Sequence, residues 1–277
     1  MAERSFTRRR LERIVDDALR AAGVLGVRPT PLEAVARVAG IRGVVPIERL
    51  PFDRARILGA LWFAERTVFV DEGQSEPRRR FTEAHELVHA LCPWHEAVLR
   101  VDTEDELFRP TVTALETEAN AGAALLIFQG AAFAERIAGE PPSIAFALEL
   151  AAEHGASAHA TLHELVAMHA SPTALLTVGR FRGRDGALPV WRAVDSPAFR
   201  SRFGSAAERL RGVMQPGREL DELAEAARGS GCASAVLRVP DRSGRARRCV
   251  AEAYYNRHSF LIVLHQEALA PRAAVQL

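Results

Sequence analysis

Lysine does not occur in this 277-residue chain: all 36 basic residues are arginines, set against 35 acidic ones. We read that bias as genome composition rather than function. The formal net charge of +1 gives no electrostatic case for nucleic acid as the main partner. Cysteine is scarce too. Cys92, Cys232 and Cys249 are too few and too oddly numbered for a disulfide framework, and none is paired as a closed zinc–cysteine site would need. Cys92 reads as a small buried residue. Long apolar runs are missing: the stretch from Ala119 to Phe133 is interrupted by Asn120, Gln129 and glycines and falls short of a membrane span. The first ten residues are charged and lack an apolar centre, so no signal peptide is expected. These absences predict a soluble, cytoplasmic protein, long enough for two or three domains.

What is present centres on Arg80-Phe-Thr-Glu-Ala-His85-Glu86-Leu-Val-His89-Ala-Leu-Cys92-Pro93. It contains His-Glu-x-x-His. On a helix, residues four apart stand above one another, so His85 and His89 can face one ion. Glu86 is rotated about a third of a turn from His85, which suits it to a water at that ion rather than to the ion itself. Ser75 is the expected N-cap, Pro77 suits the first turn, and Pro93 ends the helix. Phe81, Ala84, Val88 and Leu91 give it an apolar face. Two imidazoles leave a tetrahedral metal short of one protein ligand and a water, so the chemistry implied is metal-assisted hydrolysis.

Around this helix the pattern predicts further elements. Residues 5–22 form an amphipathic helix with Leu11, Ile14, Val15, Ala18 and Leu19 on one side. Thr30-Pro31-Leu-Glu33 resembles a capping box opening a helix that runs to Ala39 and stops at Gly40. Residues 41–47, 57–63 and 67–70 read as strands, the last two joined as a short hairpin through Ala64-Glu-Arg. A sheet edge beside the cleft could take an extended substrate segment as an added strand. Residues 96–110 are acidic and read as an irregular loop over the site.

The third ligand is expected from Thr111 to Phe128. Its small residues allow close approach of another helix, and a zinc–oxygen bond is only about 2 Å long. Glu116 takes that role; Asn120, one turn on, is placed to orient Glu116 or a histidine from behind. Glu118 points about 200° away around the helix and reads as solvated or salt-bridged. His95 stands where the longer metzincin pattern places a third histidine. That pattern needs glycine where this chain has Cys92 followed by Pro93, and neither Met168 nor Met214 sits in a recognisable Met-turn. His95 is therefore expected to be exposed or to support a ligand from behind.

The stretch from Arg80 to His89, followed some thirty residues later by Glu116-Thr-Glu-Ala-Asn120 and an Ala/Leu-rich helix, resembles the ImmA/IrrE metallopeptidases. The resemblance covers Pro31 to about Phe128. It implies a metal, zinc with manganese as the other candidate, held by His85, His89 and Glu116, with Glu86 activating water. It also implies a narrow substrate, a helix-turn-helix transcriptional repressor cut at one site in a stress response. One departure is visible: the family commonly ends its second helix Leu-Leu-Met-Pro, whereas this chain reads Leu125-Leu-Ile-Phe-Gln.

Residues 144–169 have the two-helix, glycine-turn spacing of a helix-turn-helix. No arginine falls between Arg136 and Arg180, while Glu149, Glu153 and Glu164 do, so a structural or partner-docking role is expected rather than a DNA contact. Beyond it, residues 189–194, 233–239, 248–255 and 260–265 read as strands, the last two closing a hairpin at Asn256-Arg257-His258. Polar helices fill the interval from Ser201 to Arg228, and Arg242, Arg245, Arg247 and Arg248 crowd what reads as a solvated loop. Tyr254 and Tyr255 are expected to pack within this part.

The expected fold class is α+β. A zincin-like peptidase domain with a small antiparallel sheet and a metal-binding helix pair spans 1–142, and a helical helix-turn-helix-like segment spans 143–175. An α/β domain, which the IrrE resemblance implies to be a GAF-like sensor, spans 176–277. The competing class of answer is a non-catalytic regulator with a structural metal site and a ligand- or partner-binding C-terminal domain. Membrane and direct nucleic-acid partners are not expected.

Overall fold

The computed structural model describes residues 2–47, 58–99, 109–210 and 215–266. It is a mixed α+β structure with two sheets, and the chain divides into two compact units. One comprises the residues up to Arg136 together with 150–157; the other comprises 137–149 and the residues from Ala158 onward.

The first unit opens with α1 (Ala2–Ala21) and α2 (Leu32–Val38), then β1 (Gly43–Ile47), β2 (Gly59–Trp62) and β3 (Thr67–Asp71). Three helices follow: α3 (Glu76–Leu91), α4 (Pro93–Leu99) and α5 (Arg109–Phe128), with α6 (Gly130–Ile137) behind them. On α1, Leu11, Val15, Ala18 and Leu19 are all buried, the face its periodicity predicted. Leu11, Val15 and Leu19 each contribute about 1.5–3 kcal/mol of burial at most. Thr30 does not cap α2. Its hydroxyl is fully buried and donates instead to the Leu126 carbonyl at 2.8 Å, tying the entry of α2 to the end of α5. Where the resembled family turns through Met-Pro, Gln129 adopts a left-handed φ of 55° and hydrogen-bonds Gly26, Val27 and Thr30.

The small sheet is mixed rather than antiparallel, with order β1-β3-β2. β2 and β3 form the expected hairpin, pairing Trp62 with Thr67. β1 runs parallel to β3, pairing Val44 with Val68 and Pro46 with Val70. A parallel neighbour needs a crossover, and the sequence between Ile47 and β2 gave no pattern to reveal it. β2 is left as an edge strand. α4 is a second correction: Pro93 stops α3 but also opens a new helix, so residues 96–99 of the expected loop are helical, as are Arg109 and Pro110 at the start of α5, and residues 100–108 lie outside the described part. Proline suits the first turn of a helix, where its missing N–H has no partner to lose.

The second unit contains α8 (Ala158–Met168), β4 (Thr173–Gly179), β5 (Val190–Asp195), α9 (Pro197–Phe203), α10 (Ala206–Arg209), α11 (Glu219–Ser230), β6 (Cys232–Pro240), β7 (Ala246–Tyr255) and β8 (Ser259–Gln266). α7 (Ile144–His154) contributes its first half here and its last turn to the first unit. Gly155 turns the chain between α7 and α8 with φ 61°. The strands form one antiparallel sheet, β5-β4-β8-β7-β6. β4, which the sequence reading passed over, lies inside the sheet between β5 and β8 and is buried at every residue. The predicted hairpin closes with Tyr255 opposite Phe260, their rings stacked 4.8 Å apart, over a loop in which Asn256 accepts from the His258 and Ser259 amides. The arginine-rich turn is organised rather than merely solvated: buried Asp241 accepts from Ser243, from the Arg245 amide and from Arg247, whose Nε lies 2.8 Å away. These contacts hold its carboxyl well below the usual range.

Candidate metal centre

His85 and His89 sit on adjacent turns of α3, with their Nε2 atoms 3.1 Å apart. Glu116 of α5 closes the triangle, Oε2 lying 3.1 Å from His85 Nε2 and Oε1 3.5 Å from His89 Nε2. Bonds of about 2.0–2.1 Å at tetrahedral angles put donor atoms about 3.3 Å apart. All three edges are close to that length, so two imidazole nitrogens and one carboxylate oxygen fit a common divalent ion of the zinc type. Among the described residues, this is the one cluster of three such ligands.

Close helix packing makes the triangle possible. Gly122 lies on α5 over Val88 of α3, and a Cβ there would meet both Val88 methyl groups at 2.7 Å. Ala119 and Ala123 beside it are fully buried. The small residues thus bring the α5 carboxylate within reach of the α3 histidines, as expected. Ser75 stands at the N-cap of α3, though its backbone carbonyl rather than its hydroxyl takes up the Arg78 and Arg79 amides.

Glu86 is buried beside the ligands, and that burial pushes its carboxyl up to about 7; His85 and a hydrogen bond from the Leu61 amide partly oppose the shift. The strand β2 crosses directly over it. A Cβ on Gly59 would stand 2.4 Å from Thr82 Cγ2 and 3.0 Å from Glu86 Oε1, so the strand comes this near only because position 59 has no side chain. Thr82 donates to Gln74 (2.8 Å), and Gln74 donates to the Leu58 carbonyl (2.8 Å), clamping the start of β2 to α3. The resulting open cleft, about 610 Å³, is walled by Leu58, Gly59, Ala60, Leu61 and Phe63 on one side and by α3 and α5 on the other. Arg78 and Phe81 also line it, so Phe81, expected on the packed face of α3, borders the cleft instead.

Behind the ligands lies a second layer. Asn120 Oδ1 is 3.3 Å from His85 Nδ1, so it faces one of the two histidines it was expected to orient. His95 is not exposed: it is fully buried, with Nδ1 2.9 Å from His89 Nδ1. Its Nε2 lies 3.1 Å from Glu118 Oε2, which also accepts from Trp94 Nε1 at 2.9 Å. Glu118 thus meets Trp94 and His95 rather than standing solvated. The helical angle of Glu118 follows from its spacing, but the return of α4 to meet it does not. Gly59 and the Leu61 amide were not foreseen, whereas His95 takes the second of its two expected places, behind His89. Only His95 carried a signal, its fixed offset from His89. Burial and the neighbouring imidazoles hold His89 down at about 4. Burial also lowers His85, but the Glu116 hydrogen bond and the charges of Glu86 and Glu116 outweigh it, so that imidazole is raised.

No curated protein matches the sequence. A solved Mycobacterium tuberculosis transcriptional regulator is similar in structure along the whole length, covering 100% of this chain and 98% of that one with a TM-score of 0.56. At 17% identity the likeness is one of fold alone. Residues 45–166 match the IrrE N-terminal-like domain, a span that includes β2, the His-Glu-x-x-His helix and the Glu116 helix. The triangle of His85, His89 and Glu116 lies inside that span, so it is in its metal-site region that the chain is similar to the IrrE N-terminal-like domains.

Proposed function

We propose that this protein is a metal-dependent endopeptidase acting on a protein substrate in the cleft between β2 and α3. The observation that carries this reading is the convergence of His85, His89 and Glu116 beside a buried carboxylate, Glu86, at the floor of an open groove. A divalent cation bound by those three residues would supply a Lewis acid that acidifies water and polarises a carbonyl. Zinc suits two imidazoles and a carboxylate best, and manganese would also be accepted.

Glu86, with its carboxyl raised to about 7, takes a proton from a water in the cleft and returns it to the departing amine nitrogen. The edge of β2 supplies backbone N–H and C=O groups that align an extended peptide as a further strand, holding a peptide bond over α3. Family likeness supports a helix-turn-helix repressor as substrate, with the second unit, in the reading of a GAF-like sensor, regulating cleavage.

The test pairs metal analysis with cleavage of candidate repressors by wild type, Glu86→Gln and Glu116→Ala. Retained metal with abolished cleavage is expected for the first variant, and lost metal for the second. A Glu86→Gln protein that keeps full biological activity and its metal would instead establish the non-catalytic regulator.

A further inference from the structure

We infer that Trp94, Glu118 and His95 form a directional hydrogen-bond relay that fixes the tautomer of His89, leaving its Nε2 lone pair aimed at Glu116 and His85. The inference follows from donor counting. An indole N–H can only donate, and Trp94 donates to Glu118 Oε2. A carboxylate has only acceptors to offer, so the same oxygen must receive its second hydrogen bond from His95 Nε2–H. A neutral imidazole with its proton on Nε2 has a bare Nδ1. His95 Nδ1 therefore accepts, and the facing His89 Nδ1, 2.9 Å away, must donate. His89 then has no proton left for Nε2.

The alternative would be a cationic His95 donating from both nitrogens. It would place a full charge on a ring with no solvent exposure. Arg10 lies with its guanidinium 3.9 Å over the Trp94 ring and covers the outer end of the relay without entering it. The three histidine rings run edge to face, with centroids 4.9 and 4.8 Å apart, so a rotation of His95 would be felt at His89 and then at His85.

His95 and Glu118 are positioning residues: neither faces the cleft, and both act through His89. Their value is pre-organisation. In water a neutral imidazole exchanges between tautomers, and the wrong one points an N–H at the ion. Orienting partners of this kind are typically worth about 10–100-fold in metal affinity.

The tautomer prediction stands on the hydrogen bonds alone; its consequence for affinity rests on the metal-centre reading above. The experiment is a histidine-ring ¹⁵N–¹H correlation spectrum of full-length, chelator-treated protein at neutral pH, followed by zinc titration against a competing chelator. His89 is expected as the Nδ1–H tautomer before any zinc is added. His95→Phe and Glu118→Leu should return His89 to a tautomer mixture and weaken zinc about 10–100-fold. His95→Gln, which keeps an acceptor toward His89 Nδ1, should recover most of that loss. An Nε2–H tautomer or an averaged signal in the wild type would overturn the relay. So would a folded His95→Phe or Glu118→Leu protein with unaltered zinc affinity, or a folded His95→Gln no better than His95→Phe. A wild type with the expected tautomer but no affinity for zinc or manganese would overturn the metal-centre reading and leave the relay standing.

Discussion

Gly122 of α5 rests on Val88 of α3 so closely that a single added carbon would overlap both of its methyl groups, at 2.7 Å each. Val88 is β-branched and fully buried, so it has no alternative rotamer into which to retreat.

Two effects compete in Gly122→Ala. Helix propensity favours alanine by up to about 1 kcal/mol. Overpacking against a stiff neighbour costs about 1–3 kcal/mol, and at 2.7 Å it should win. The expected outcome is lower thermal stability together with zinc affinity reduced at least tenfold, because the helix carrying Glu116 is pushed off α3. Adding Val88→Ala should restore part of both. Calorimetry and zinc titration of the single and double variants check this; a Gly122→Ala protein with wild-type melting and affinity would refute it.

Glu86 should destabilise the metal-free fold at neutral and alkaline pH. Its carboxyl is raised from an unfolded value near 4.5 to about 7, so the folded state prefers it protonated. Below the unfolded value both states hold the proton; above it stability falls as pH rises, and the loss is complete above about 7. Two and a half units correspond to roughly 3 kcal/mol. Glu86→Gln is therefore expected to stabilise chelator-treated protein by about 1–3 kcal/mol at pH 8, with the gain vanishing toward pH 4.5. Urea denaturation across that range reads it directly.

Acid should release the metal in steps. His85 is raised above the ordinary imidazole value, whereas His89 is held at about 4. Between pH 6 and pH 5, His85 is thus the histidine that must lose a proton on binding, and the logarithm of zinc affinity should change by about one per pH unit. Were His89 to titrate there as well, the slope would be about two. Zinc titrations at a series of pH values distinguish the two.

Gly59→Ala separates catalysis from metal retention. The new methyl would crowd Thr82 and Glu86 without touching the three ligands. Zinc affinity should stay within a few-fold of wild type, while peptide cleavage falls by about 10²-fold or more, the typical scale of a misplaced general base. Equal losses of metal and activity would show that β2 supports the ligands rather than the base.

Much of the centre was legible because it is helical. His85, His89 and Glu86 lie within one turn and a half, where spacing alone fixes which side chains share a face. Caps and prolines marked α3, and the small residues around Gly122 announced that another helix would come close. The β2–β3 hairpin and the β7–β8 hairpin were also visible, since each joins neighbours in sequence. What stayed hidden depends on distant pairing. The parallel partnership of β1 with β3, the place of β4 between β5 and β8, and the return of α4 toward Glu118 leave no local periodicity to read.

The sequence by itself determined the ligand types, their helical spacing and the proximity of the two helices that bear them, because those follow from backbone geometry and side-chain size. Only the tertiary structure decided which groups stand behind and above them: His95 buried against His89, Glu118 anchoring it, and Gly59 bringing a strand edge down onto Glu86. These contacts join residues from separate elements, and their distances are set by packing, which no local pattern encodes.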